Sequence, residues 1–110
     1  MKTSELIGPA LDWAVAKCEG HKPYFASGYI QLKRWIPGKM FSPSTDWSQG
    51  GPIIEREHMD LTCWGGNTVD WFAEGSNNCE EYGPTPLIAA MRCCVLMKLG
   101  YEVEVPAELL

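Results

Sequence analysis

The segment GPTPLIAAMRCCVLMKLG near the C-terminus constrains the fold more than any other part of the chain. Between Leu87 and Leu99, only Arg92 and Lys98 interrupt a run of apolar or small residues. A helix that is apolar on nearly every side has no face to offer to solvent, so it must be surrounded by other elements. We therefore expect this segment to form the central helix of the protein.

Both ends of the segment carry residues typical of helix boundaries. Thr85 can cap the first turn, and Pro86 suits the first helical position because no N–H group is needed there. Gly100 suits the left-handed position that follows the last turn. These signals predict a helix that begins after Thr85 and ends before Gly100.

A second helix is predicted from about Ser4 to Cys18, with Thr3 as its cap. Apolar residues recur there at the three- and four-residue spacing of a buried face, and Asp12 falls on the opposite, polar face. Pro9 conflicts with a helix interior. It either kinks this helix or moves its start to Gly8-Pro9.

The chain between the two helices has the pattern of short strands. Tyr29–Ile36 has a rough period of two, and Met59–Cys63 and Thr68–Ala73 flank a predicted hairpin turn at Trp64–Asn67. Tyr101–Val105 alternates before a proline and predicts a final strand, of a kind that is compatible with a sheet edge. The order predicts an α+β fold in which a small antiparallel sheet packs against a central C-terminal helix and an N-terminal helix. A chain of 110 residues fits a single domain, 1–110.

Composition excludes several classes of protein. The chain has 9 Lys and Arg against 14 Asp and Glu, a net charge of -5, which is the wrong sign for binding a nucleic-acid backbone. No apolar run reaches the ~20 residues that span a bilayer, so no membrane contact is expected. The start MKTSELIG lacks a secretory signal, so we expect the protein to stay where it is made, with its 5 cysteines reduced.

Candidate binding residues cluster in the segment FSPSTDWSQGGPIIERE, residues 41–57. Small polar side chains there build turns beside the flat face of Trp47, and two glycines precede a short helix predicted over Pro52–Glu57. The free N–H groups of such a helix start can hold an anion or a carbonyl oxygen. A purely structural turn is the alternative. The candidate ligand-binding residues of this segment are Ser44, Thr45, Asp46, Trp47, Gly50, Gly51 and Glu55.

The start of the C-terminal helix offers the same chemistry at Thr85, which joins the candidate site. Arg92 is also a candidate ligand-binding residue, because a guanidinium in the middle of an apolar helix needs a carboxylate or several carbonyl oxygens as partners. Its predicted carboxylate partners are Asp46, Glu55 and Glu57, and the alternative is an anionic ligand. Each helix start alone is more often a cap, so a site requires both starts to face one pocket.

Signals for catalysis are weak. His21 and His58 belong to no nucleophile or metalloprotease motif, and we expect no metal and no cofactor. The second hypothesis is nevertheless a small hydrolase-like enzyme, which requires carboxylates to converge in a cleft. Its residues would be Asp46, Glu55 or Glu57 as base, assisted by Thr45 or His58.

Four stretches of the sequence are distinctive together: ALDWAVAKCEG at Ala10–Gly20, PSTDWSQGGPIIERE at Pro43–Glu57, GPTPLIAAMRC at Gly83–Cys93 and KLGYEVEVP at Lys98–Pro106. They resemble the NinX-like family of small bacteriophage and prophage proteins. The resemblance implies an accessory protein of temperate phages, of unknown function, in the cytoplasm of the bacterial host, with no catalytic residue or cofactor to carry over.

These observations favour a non-enzymatic protein that binds a small anionic molecule or a host protein through a pocket between the two helix starts. A third hypothesis is a protein–protein adaptor. It predicts an exposed apolar patch that includes Trp13, Trp35 or Trp71, and a homodimer.

Overall fold

The computed structural model describes residues 1–26, 28–32, 40–64 and 70–110. The fold is α+β, as predicted. Short 3₁₀ turns lie at Thr3–Glu5, Ser76–Asn78 and Ala107–Leu109. In chain order, the helices and strands of the described residues are α1 (Gly8–Cys18), β1 (Pro23–Ala26), β2 (Tyr29–Leu32), α2 (Trp47–Arg56), β3 (Asp60–Trp64), β4 (Asp70–Glu74), β5 (Glu80–Gly83) and α3 (Pro86–Leu99).

Helix α3 lies at the centre of the fold, and its predicted boundaries are confirmed. The Thr85 Oγ1 atom accepts a hydrogen bond from the Ile88 N–H at 3.1 Å, and Gly100 has a φ of 88°. Most of its residues are buried, on several sides of the helix, which is why the pattern shows no single apolar stripe. The buried residues are Leu87, Ile88, Ala89, Ala90, Met91, Cys93, Cys94, Val95 and Leu96.

Helix α1 begins at Gly8, so the later of the two predicted starts is right. Pro9 lies in the first turn, where its missing N–H group has no intrahelical acceptor to lose. Thr3 was predicted as the cap and does not cap this helix. Its hydroxyl donates instead to the carbonyl oxygen of Gly100, 2.6 Å away, and ties the N-terminal turn to the end of α3.

The strands form two antiparallel sheets, β1–β2 and β3–β4–β5, where the sequence predicted one. The predicted pairing of the strands on either side of the hairpin is confirmed, since Asp60 pairs with Glu74 and Cys63 with Trp71. Residues 65–67 of the predicted turn and residues 33–36 of the predicted first strand lie outside the described residues. Strands β1 and β5 were not predicted.

The strand predicted at Tyr101–Val105 is wrong. Only an isolated bridge between Lys2 and Glu102 forms there, with the Val103 N–H donating to the Met1 carbonyl at 2.9 Å. The pairing stops because the N-terminal residues turn into a 3₁₀ helix immediately afterwards. The Val103 side chain is nevertheless buried, so the apolar residue at this position reflects burial of the side chain and not pairing in a strand.

One face of the β3–β4–β5 sheet packs against α3, and α1 packs against α3 as well. The approach of β5 is close: a Cβ atom at Gly83 would lie 2.6 Å from the Ala89 nitrogen. Ala73 at the middle of the sheet is fully buried on this face. No helix in the described part of the chain is long and apolar enough to cross a membrane.

Candidate functional site

Helix α2 begins at Trp47, five residues before the helix start predicted at Pro52. Asp46 causes the earlier start. Its Oδ1 atom accepts hydrogen bonds from the Ser48 N–H at 2.9 Å and from the Ser48 hydroxyl at 2.6 Å. Both glycines of the predicted loop therefore lie inside the helix, and the helix start that can face a ligand is at Trp47.

Gly50 allows α2 to approach the start of α3. A Cβ atom at this position would lie 2.5 Å from the Pro43 carbonyl oxygen and 2.6 Å from the Leu87 Cδ2 atom. Gly51, the next residue, has no atom within 4 Å of the same position. Only Gly50 is thus required by packing, and it brings the two helix starts together.

The two helix starts share a pocket with a volume of about 220 Å³. This confirms that the turn before α2 and the start of α3 lie on the same side of the molecule. We call it the helix-start pocket. Its lining residues are Ser44, Thr45, Trp47, Thr85, Pro86, Leu87 and Ile88.

Asp12 holds the turn that forms one wall of this pocket. Its Oδ1 atom accepts a hydrogen bond from the Ser44 N–H at 2.9 Å, and its side chain is only 5% exposed. Burial raises the pKa of Asp12 to about 6, against the lowering effect of the Ser44 N–H and hydroxyl groups. The prediction that Asp12 lies on a polar face is wrong, because the turn at Ser44 covers this side of α1.

The Ser44 hydroxyl is a buried polar group at the helix-start pocket. The residue is 1% exposed, and its Oγ atom forms no hydrogen bond of ordinary geometry within the described parts of the chain. Such a group costs free energy unless a partner arrives. The polar group beside it is the Asp12 carboxylate, whose pKa this hydroxyl lowers.

The two helix starts differ in the N–H donors and in the charge that they offer to a ligand. The caps already use the Ser48 N–H and the Ile88 N–H. The N–H groups of Trp47 and Leu87 belong to the first turns and have no intrahelical acceptor. The start of α2 carries the Asp46 carboxylate, whereas the α3 start has a neutral cap and no acidic residue in its first turn. The positive end of the α3 dipole is therefore the uncompensated one.

Arg92 is not among the residues that line the pocket. Its Nε atom donates to the Leu6 carbonyl at 2.8 Å, and an Nη atom donates to the Tyr82 carbonyl at 2.9 Å. Burial lowers the pKa of Arg92, and the nearby Glu81 carboxylate opposes this shift. The predicted partners Asp46, Glu55 and Glu57 are wrong, and the alternative of several carbonyl oxygens is right, because β5 and Leu6, two residues before α1, flank this side of α3.

The carboxylates of the second hypothesis do not converge. Asp46 caps the start of α2, whereas Glu55 is exposed near its end, roughly 14 Å away along the helix axis. Glu57 pairs with the Lys98 Nζ atom at 3.1 Å and the Arg56 Nε atom at 3.6 Å, and Lys98 lowers its pKa. The cleft required by a hydrolase with these residues is therefore not formed by them.

The comparison with protein families gives one finding. The profile described as Bacteriophage P22, NinX matches residues 2–98. The chain belongs to this family. Membership supports the role of a phage accessory protein, and three of the four resembling stretches lie within the match, whereas Lys98–Pro106 lies beyond it except for Lys98. No curated protein matches the sequence.

A second pocket, with a volume of about 340 Å³, lies where α1 meets the C-terminal segment. The Lys17 Nζ atom lies 5.7 Å from the centre of a Trp13 ring in its wall. Its other lining residues are Leu99, Glu102, Val103 and Glu104, which lie outside the residues matched by the NinX profile. The helix-start pocket lies wholly within the match.

Trp13 and Trp71, two tryptophans of the adaptor hypothesis, are each partly buried. Trp13 is half-buried against Lys17, and Trp71 packs against the core from the sheet. Trp35 lies outside the described residues. Among the tryptophans whose side chains the structure describes, Trp47 at the rim of the helix-start pocket is the exposed one, with an exposure of 54%. Among the described residues, no group of three or more His, Cys, Asp or Glu side chains could hold a metal ion.

Proposed function

We propose that this NinX-family protein acts by binding, without catalysis, and that the helix-start pocket is its binding site in the cytoplasm of the bacterial host. The convergence of the two helix starts on one pocket, where the N–H groups of Trp47 and Leu87 lack intrahelical acceptors, carries this proposal. A pocket with unsatisfied polar groups and an apolar wall is typical of ligand sites.

The chemistry of the pocket favours a small ligand with an acceptor oxygen attached to a flat apolar group. The N–H of Leu87 and the uncompensated end of α3 suit a carboxylate, phosphate or carbonyl oxygen. Trp47 offers the flat apolar surface, and the hydroxyl groups of Thr45 and Thr85 can donate or accept. An anionic ligand is therefore held by the helix start, since Arg92 bonds elsewhere.

A host protein is the second candidate, and the dimensions of the pocket favour it. A volume of about 220 Å³ is below the range of about 300–1,000 Å³ that is usual for small-molecule pockets. It suits one side chain of a partner, with the exposed Trp47 as an anchor beside it, as in the centres of many interfaces. A C-terminal carboxylate or an acidic side chain would use the same helix start.

Thermal-shift measurements test the small-ligand proposal. The panel contains nucleotides, cyclic nucleotides and aromatic carboxylates, each with its neutral amide or nucleoside counterpart. A ligand at about 100 times its Kd should stabilise the folded state by roughly 2.7 kcal/mol. We expect at least one anionic member to stabilise the protein more than its neutral counterpart does.

A matched pair of variants assigns any stabilisation to the pocket. Thr45→Trp fills the pocket from its exposed rim, and Ser4→Trp places the same side chain at an exposed position in the N-terminal turn. Stabilisation should disappear in the first variant and persist in the second. The small-ligand proposal is contradicted if ligand stabilisation is lost in both variants or in neither variant. It is also contradicted if no compound stabilises the unchanged protein.

A further inference from the structure

Three sulfur-containing side chains meet where the 3₁₀ turn between β4 and β5 packs against α3. The Cys93 thiol of α3 donates to the carbonyl oxygen of Cys79, the residue that follows the turn, at 3.5 Å. The side chains of Cys79 and Met97 are both partly buried against the core. Met97 lies one helical turn after Cys93, on the same side of α3. The two cysteines are 14 residues apart, so no short spacing motif in the sequence reports them together.

Gly75, the residue before the turn, leaves a space beside two of these sulfur atoms. A Cβ atom at this position would lie 2.5 Å from the Met97 Sδ atom and 3.1 Å from the Cys93 Sγ atom. The backbone of Gly75 is extended, with a φ of -119°, so its conformation does not itself require a glycine. The missing side chain therefore keeps open a small space that both sulfur atoms border.

The Ser76 hydroxyl fixes the position of the Met97 thioether. Its Oγ atom donates a hydrogen bond to the Met97 Sδ atom at 3.3 Å. The thioether has two lone pairs, so one of them remains available to another partner. Contacts of this kind, made behind the donor atoms, orient the ligands of metal sites.

The electrostatic surroundings of Cys93 favour a cation. Burial raises the pKa of its thiol to about 12, with smaller contributions from neighbouring groups that include Cys79, Glu81 and Glu74. The two carboxylates disfavour a bare thiolate and attract positive charge. A metal cation that neutralises the thiolate would therefore be stabilised at this position.

Two thiols and one thioether form a set of soft donors. Such donors select soft metal ions, among which is Cu(I). A structural zinc site takes four nitrogen, sulfur or carboxylate ligands. Among the described residues, no group of three His, Cys, Asp or Glu side chains could begin such a set, and methionine is not one of those donor types. The three sulfur atoms therefore suit a three-coordinate Cu(I) ion and not zinc.

We propose that Cys79, Cys93 and Met97 bind one Cu(I) ion in the space beside Gly75. Each thiol releases its proton to solvent, and the ion forms bonds to the two thiolates and to the Met97 sulfur. Copper stays in the Cu(I) state throughout, so the step needs no oxidant or reductant. This site shares no residue with the helix-start pocket and does not depend on the function proposed for that pocket.

The test measures the Cu(I) affinity of the full, reduced chain by competition with the chromogenic chelator bicinchoninate in the absence of oxygen. Cys79→Ser removes one thiol, and Cys63→Ser makes the same change at an exposed cysteine of β3. Met97→Leu removes the thioether at nearly constant volume, and Met40→Leu does so at an exposed methionine. Thermal unfolding confirms that each variant folds.

A glycine variant tests the space without removing any donor atom. Gly75→Ala keeps all three sulfur atoms and places a Cβ atom between them, whereas the matched Gly51→Ala meets no atom within 4 Å. We expect the unchanged protein to bind one equivalent of Cu(I), and Gly75→Ala and Cys79→Ser to weaken the affinity about tenfold or more. The three control variants should each lose less than threefold.

X-ray absorption at the copper K-edge distinguishes a ligand from a residue that only supports the fold. We expect three sulfur neighbours around copper in the unchanged protein and two in Met97→Leu. Three sulfur neighbours in both proteins would overturn the proposal, and so would an absence of Cu(I) binding or equally tight binding of Zn(II). Cys18→Ser is the last control, because the Cys18 thiol is the neighbour of the Cys94 thiol. Binding that is lost in this variant and kept in Cys79→Ser would place the ion elsewhere and overturn the proposal.

Discussion

The buried carboxylate of Asp12 accepts a hydrogen bond from the backbone N–H of Ser44, 32 residues later in the chain, at a distance of 2.9 Å. This contact fixes the turn before α2 to the side of α1. The same turn forms a wall of the helix-start pocket. An acidic residue of the first helix thus positions a site built by two other helices.

Asp12 makes the stability of the protein depend on pH. Its pKa is about 6 in the folded protein against an ordinary value of 3.8, so the folded state binds more protons between these values. Stability therefore falls as pH rises through this window, by about 3 kcal/mol from this group alone. Asp12→Asn keeps an acceptor for the Ser44 N–H and removes the titration.

The measurement is urea unfolding from pH 4 to pH 7.5. Relative to the unchanged protein, Asp12→Asn should become progressively more stable as pH rises, and the difference should level off above about pH 7. Asp70→Asn, an exposed acid on β4, is the matched control and should show a much smaller change. Parallel pH profiles for the Asp12 variant and the unchanged protein would contradict the role of Asp12.

The two adjacent glycines of α2 should respond to alanine in opposite directions. Gly50→Ala places a Cβ atom against the Pro43 carbonyl and the Leu87 side chain, so we expect a loss of roughly 1–3 kcal/mol. Gly51→Ala meets no atom and should stabilise the helix by roughly 0.5–1 kcal/mol. Denaturant unfolding measures both, and an equal response at the two positions would argue against the close approach of α2 and α3.

Arg92 should matter for stability and not for binding in the helix-start pocket. Arg92→Met leaves the carbonyl groups of Leu6 and Tyr82 without their charged donor, and a hydrogen bond to a charged group contributes about 1.5–3 kcal/mol. We expect a loss of a few kcal/mol in unfolding experiments, with Arg92→Lys recovering part of it. An Arg92→Met variant that folds with normal stability but is no longer stabilised by the ligand would show that Arg92 belongs to the binding site.

The row of carboxylates that Asp60, Glu74 and Glu80 form across the β3–β4–β5 sheet should reduce the stability of the sheet. Glu74 lies opposite a carboxylate on both neighbouring strands, so Glu74→Gln should stabilise the protein by roughly 0.2–1 kcal/mol at low salt. The gain should shrink as added salt screens the repulsion. Glu5→Gln is the matched control, and a gain as large at that position would show that the register of the row has no effect.

The sequence predicted those parts of the fold in which local signals and burial agree. Thr85, Pro86 and Gly100 mark the ends of α3 because capping depends on neighbouring residues only. The same local logic misplaced the start of α2, since Gly50 resembles loop residues but serves close packing between helices. The burial of Asp12 and the carbonyl partners of Arg92 depend on segments distant in the chain, which no local pattern reports.

The sequence predicted a binding site only on the condition that the starts of α2 and α3 face the same pocket. Each helix start was visible in the sequence, but their meeting depends on the packing of α2 against α3 through Gly50. Ser44, Thr45, Trp47 and Thr85 reach the pocket. The other predicted site residues do not line it: Asp46, Gly50, Gly51, Glu55 and Arg92.

Native mass spectrometry of the protein purified from phage-infected bacteria tests the binding site most directly, because it weighs the protein with whatever it retains. The proposal predicts one added mass, a small molecule or a host protein, on the unchanged chain and on Ser4→Trp. It predicts the bare chain for Thr45→Trp. An unliganded mass for all three proteins, or the same added mass on all three, would contradict a binding site between the starts of α2 and α3.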